Sequence, residues 1–171
     1  MRRSVALLTG LALVPFFTSA PAAEATGAGA CGISGTITFS PSASAPSEGR
    51  WSIAPATIDC RGLFNTRGRE RIMGPGSFAG SGSYGTVRSG DGSCLRQLGP
   101  GRVDYWIPTS EQDVHVVEPP TFTLAGAGTF TTPTLRGTFQ IPVHEGDCVT
   151  GPVTRAMFLA QVTLVRSHRP F

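Results

Sequence analysis

Residues 31–60 read CGISGTITFSPSASAPSEGRWSIAPATIDC, and this stretch decides the fold. Apolar and small polar residues alternate from Ile33 to Phe39 and again from Trp51 to Asp59, on either side of a turn-rich segment from Pro41 to Gly49. Period-two alternation flanking a turn is the signature of an antiparallel hairpin. Residues that face each other in a hairpin have numbers with a constant sum. Setting Cys31 against Cys60 centres the turn between Ala45 and Pro46, inside the loop that composition already marks. A disulfide there would close the hairpin's open end, which leaves Cys94 and Cys148 to pair by elimination. On a chain-entropy account each bridge stabilises by about 3.5 to 4 kcal/mol, less any strain.

On the N-terminal side, Met1-Arg2-Arg3-Ser4 is followed by an apolar run from Val5 to Phe17 and then by Thr18-Ser19-Ala20-Pro21-Ala22-Ala23. Positive, apolar and small segments in that order predict a signal peptide over 1–22, cut before Ala23, with a cut after Ala25 as the alternative. The apolar run is shorter than the roughly twenty residues that cross a bilayer, and no second run of spanning length follows. Residues 23–171 are therefore expected to form one secreted, extracellular domain with an ordered core over about 31–167 and no membrane span. Four cysteines in an exported chain favour two bridges in an oxidising compartment.

Charge excludes one class of partner. The chain has 14 basic residues, all Arg, against 11 acidic ones, and Arg2 and Arg3 leave with the leader. A nearly balanced surface gives little attraction to nucleic acid or anionic lipid. The 22 Gly and 14 Pro are scattered, and each interior Gly or Pro opposes a helix by about 1 or 3 kcal/mol. Further strands are predicted over Gly76–Val87, Arg102–Ile107, Val114–Val117, Thr121–Thr131 and Thr134–Val143. Val153–Val165 is a strand or a buried helix, and its β-branched residues favour strand. Being apolar on both faces, that strand would be central or lie at an interface. The expected class is all-β, a single antiparallel β-sandwich or small β-barrel domain with two disulfides. Ala79-Gly80-Ser81-Gly82-Ser83-Tyr84 and Ala125-Gly126-Ala127-Gly128-Thr129-Phe130 share the pattern A-G-x-G-small-aromatic, either as a duplicated strand or as a product of low complexity.

Chemistry-bearing residues are sparse. No Gly-x-Ser-x-Gly elbow surrounds any serine, and paired cysteines offer no free thiol. Of the three histidines, His168 lies in the C-terminal tail, which leaves His115 and His144. With Glu118 they are the candidates for acid-base catalysis, and with Asp147 the candidates for a metal site. His144-Glu145 starts like a zinc-protease motif, but Cys148 stands where the second His is required. The alternative places His115 on a solvated strand face and 144–147 in a polar turn. Gly90-Asp91-Gly92-Ser93 has too few carboxylates for a calcium loop and reads as a turn. Arg61, Arg67, Arg69 and Arg71 form either an anion-binding cluster or a solvated loop partly neutralised by Glu70. Trp106 lies on the face opposite Val103, Tyr105 and Ile107, so a second sheet or a ligand must cover it. Nothing calls for a cofactor.

Cys31-Gly32-Ile33-Ser34-Gly35-Thr36-Ile37-Thr38-Phe39 and Gly146-Asp147-Cys148-Val149-Thr150-Gly151-Pro152-Val153-Thr154, together with the leader, resemble small secreted Cys-paired β-proteins of high-G+C Gram-positive bacteria. In size and bridge count the chain is also similar to secreted chromophore-carrying and protease-inhibiting domains. These resemblances carry over no activity and no site residues. The expected function is a non-enzymatic extracellular binding or interaction module that contacts a protein or a cell-envelope component. The alternatives are a β-barrel carrier of a small apolar ligand and a hydrolase or metal-dependent enzyme using His115 or His144.

Overall fold

A computed structural model describes residues 29–43, 47–65, 70–86, 97–123, 128–146 and 151–165. Among them there is no helix. The strands are β1 (Ala30–Ala43), β2 (Ser47–Arg61), β3 (Leu63–Asn65), β4 (Glu70–Arg71), β5 (Pro75–Thr86) and β6 (Gln97–Ile107). They continue with β7 (Val114–Glu118), β8 (Thr121–Thr123), β9 (Gly128–Thr131), β10 (Leu135–Gln140), β11 (Val143–Glu145) and β12 (Val153–Leu164). One antiparallel sheet runs β7-β6-β5-β2-β1-β12-β10-β9-β8, with β11 also paired to β12, while β3 and β4 form a separate two-stranded ribbon.

The hairpin at the start of the fold has the expected register at its open end. Cys31 pairs with Cys60 across β1 and β2, and the two are joined by a disulfide. Cys94 and Cys148 lie outside the described residues, as do the expected leader over 1–22 and residues 44–46. The register shifts once, between Ser34↔Thr57 and Ile37↔Ile53, where β2 has one residue more than β1. β2 also has an extra residue against β5 over the same stretch. This bulge holds Ala54 and Pro55, both exposed. Proline donates no N–H to a ladder, so a central strand accommodates it only at such a break.

Inward and outward residues alternate along the strands, as a one-sided core requires. On β12, Ala156, Phe158, Ala160, Val162 and Leu164 are buried while Met157 and Gln161 face out. β12 lies between β1 and β10, so the segment for which helix and strand competed is a central strand. Two expected strands are each divided. Thr121–Thr131 is a hairpin, β8 and β9, with Thr121 facing Thr131. The strand expected over Thr134–Val143 ends at Gln140 as β10 (Leu135–Gln140), and after Ile141-Pro142 a separate strand, β11 (Val143–Glu145), begins.

The sheet curls into a half-barrel. Phe78 on β5 and Phe130 on β9 are five strands apart in sheet order, about 24 Å if the sheet were flat. Their ring centroids are 6.3 Å apart. Phe158 from β12 stacks on Phe78 at 6.3 Å and on Phe139 from β10 at 5.8 Å, and Trp51 from β2 meets Phe122 from β8 edge-on at 5.5 Å. Side chains of the protein itself therefore fill the concave side. Close ring packing explains the two Gly-x-aromatic motifs. A Cβ on Gly82 would come 2.7 Å from the Trp51 indole nitrogen, and one on Gly128 2.7 Å from the Phe139 ring. Both inward glycines leave the space that an aromatic ring of a neighbouring strand occupies. The Trp51 Nε1 so placed is buried with no hydrogen-bond partner among the described residues.

Candidate binding face on β6 and β7

β6 and β7 lie at one edge of the sheet, where Trp106 pairs with His115 and Asp104 with Val117. Val103, Tyr105 and Ile107 are fully buried, so Asp104 and Trp106 must point outward. No second sheet covers that face among the described residues, contrary to the simplest expectation, and Trp106 is 45% exposed. The Trp106 and His115 rings stack with centroids 4.1 Å apart and planes 8° apart. Nε2 of His115 is 2.8 Å from Oδ1 of Asp104, and Arg102 lies 3.7 Å from the other Asp104 oxygen. The indole is thus held by a ring that is itself held by a carboxylate. Val117 adds an exposed apolar side chain beside them.

Glu118 does not join this group. Residues three apart on a strand face opposite ways, so His115 points out and Glu118 in. The buried Glu118 accepts hydrogen bonds from the Tyr105 hydroxyl at 3.0 Å and the Thr134 hydroxyl at 2.7 Å, and those hydroxyls also touch each other. Burial, with the nearby Glu118 charge, holds the Tyr105 phenol well above its ordinary range, against a smaller lowering by its contact with Thr134. The carboxylate that accompanies His115 is Asp104. Applying the constant-sum rule to the turn between Ile107 and Val114 would have paired Trp106 with His115 from sequence.

Most of the other candidates lie outside the described residues. His144 lies on β11, and its side chain is outside the described set, as are Asp147, His168, Asp91, Arg67 and Arg69. Neighbouring Glu145 accepts a hydrogen bond from Thr154 at 3.0 Å and lies 3.7 Å from Arg155. Among the described residues no group of three or more His, Cys, Asp or Glu side chains could hold a metal ion. Arg61 and Arg71 are exposed at the ends of β2 and β4. Glu70, expected to dilute the Arg cluster at the surface, is buried and bonded by the Thr109 hydroxyl.

A flat, exposed Trp-His stack with a carboxylate and a guanidinium beside it can hold an apolar or ring-shaped group and hydrogen-bond its rim. Among the described residues no hydroxyl is hydrogen-bonded to the His115 ring, as nucleophile activation would require. Comparison with protein-family models, curated proteins and solved structures finds no match to this chain, so the reading rests on its own geometry.

Proposed function

We propose that the protein is an exported, non-enzymatic binding module whose contact surface is the outward face of β6 and β7. Trp106 carries this reading: a large aromatic ring is kept in solvent and immobilised by His115 at 4.1 Å. An ordered, exposed aromatic loses little side-chain freedom on binding, which is why such residues dominate contact energies. Export is supported by the leader pattern at 1–22 and by the Cys31–Cys60 bridge. The resemblance to secreted Gram-positive β-proteins points to a partner outside the cell, in the envelope or among secreted proteins. Rings packed across the concave side leave the carrier reading without support.

Hydroxyl-radical footprinting with mass spectrometry tests this, using the protein with and without envelope material and secreted proteins of a high-G+C Gram-positive bacterium. Trp106 and His115 should lose reactivity together when the partner is added, while residues on β11 and β12 do not. Unchanged labelling of both would contradict the reading. The Asp104–His115 pair favours one second reading, a hydrolase with His115 as base. Turnover of ester or peptide substrates that disappears in His115→Ala would establish that one instead.

A further inference from the structure

The outward surface beside Trp106 has a composition of its own. β1 from Gly32 to Ser40, β2 from Trp51 to Ile58 and β5 from Pro75 to Ser83 contain no charged residue. Two registered rows of hydroxyls cross these strands, Ser77–Thr57–Ser34 and Ser81–Ser52–Thr38. Trp106 stands next to Ser77 at the end of the first row, and Arg102 next to Ser81 at the end of the second. His115 covers one face of the indole. On the other side the registered neighbour of this 45% exposed ring is Ser77, whose side chain is too short to cover an indole. Four residues separate the rows along β5, a distance of about 13 Å.

We propose that this strip binds an uncharged polysaccharide, with one sugar ring stacked on the open face of Trp106 and neighbouring sugars lying over the serine and threonine rows. The proposal rests on the outward binding face argued above and names its ligand class. A pyranose has a face of C–H bonds and a rim of hydroxyls. Its C–H face suits the indole, and its rim matches side chains that both donate and accept hydrogen bonds. A floor without charge has no electrostatic preference for a polyanion or polycation. Arg102 and Asp104 at the Trp106 end are engaged with each other and with His115, Arg155 beside Thr38 at the far end of the second row faces Glu145, and Arg50 and Asp59 flank the rows along β2.

Calorimetric titration of the secreted protein with cello-, xylo-, malto- and chitohexaose tests the proposal, alongside iodide quenching of tryptophan emission. With Trp51 buried, quenching reports on Trp106. At least one neutral hexaose should bind and shield Trp106 from iodide, and polygalacturonate should bind no tighter. Trp106→Ala should weaken binding at least tenfold. Ser77→Arg, which lays a long charged chain over the first row, should do the same, both variants keeping the parent melting temperature to within a few degrees. No binding by any of the four hexaoses, or binding that both variants leave intact, would overturn the polysaccharide assignment. If the hexaoses fail while envelope material or a secreted protein still shields Trp106 and His115 in the footprint, the ligand class is wrong and the binding face stands. If that shielding is absent too, both fall.

Discussion

Strands β6 and β7 carry two polar clusters, one on each face, drawn from interleaved residues. Inside, Tyr105 and Glu118 meet Thr134, which precedes β10 at the far side of the curl. Outside, Asp104 joins His115 and Arg102, and His115 stacks on the exposed Trp106. The inner cluster links parts of the chain that are distant in sheet order, so it helps hold the half-barrel closed. The outer one links neighbours that the β6–β7 ladder already holds. Buried polar groups without partners cost far more than exposed ones, so the inner cluster is a condition of the fold. The outer cluster is available for contact.

Substitutions on the two faces should separate these roles. Glu118→Ala is expected to have the largest effect, a loss of about 3 kcal/mol in urea unfolding, because it leaves two buried hydroxyls without their charged acceptor. A loss below about 1 kcal/mol would remove the inner cluster from the stability of the fold. Tyr105→Phe should cost less, about 1 to 2 kcal/mol, since Thr134 still donates to Glu118. It should also change the alkaline response. With its pKa raised in the folded state, Tyr105 contributes stability that is full below the ordinary phenol value of 10.0 and is lost as pH rises beyond it. Parent stability should therefore fall above about pH 10, and Tyr105→Phe should flatten that fall. A slope unchanged by the substitution would place the titration elsewhere. Asp104→Asn should have the smallest effect, about 0.5 kcal/mol or less, because both of its partners are exposed. It should loosen His115 and raise iodide quenching of Trp106; quenching equal to the parent's would mean that Asp104 does not hold the stack.

How legible this was differs between the faces. Alternation and the constant-sum rule are local, and they suffice for β1, β2 and the Cys31–Cys60 bridge, and for an outward Asp104 and Trp106. They miss what local pattern does not encode. The bulge at Ala54-Pro55 sets Ile37 against Ile53 instead of Ala54, and in the sequence it is marked only by a proline inside an otherwise regular strand. The β8–β9 hairpin was hidden because Leu124-Ala125-Gly126-Ala127 has one glycine and none of the Asn, Asp or Pro that usually announce a turn. The curl, and with it the meeting of Glu118 and Thr134, comes from twist summed over many strands, which no single segment records. The Trp106–His115 pair was within reach of the hairpin arithmetic. Glu118 looked like the partner of His115 because it is near in sequence, and strand geometry separates the two.

The central claim is that Trp106 serves contact and not the fold, and urea unfolding of Trp106→Ala tests it most directly. An exposed ring stacked on one neighbour should be removable with a change within about 1 kcal/mol. A loss near 3 kcal/mol or more, the cost of truncating a core aromatic, would show that the ring is part of the scaffold and contradict the account.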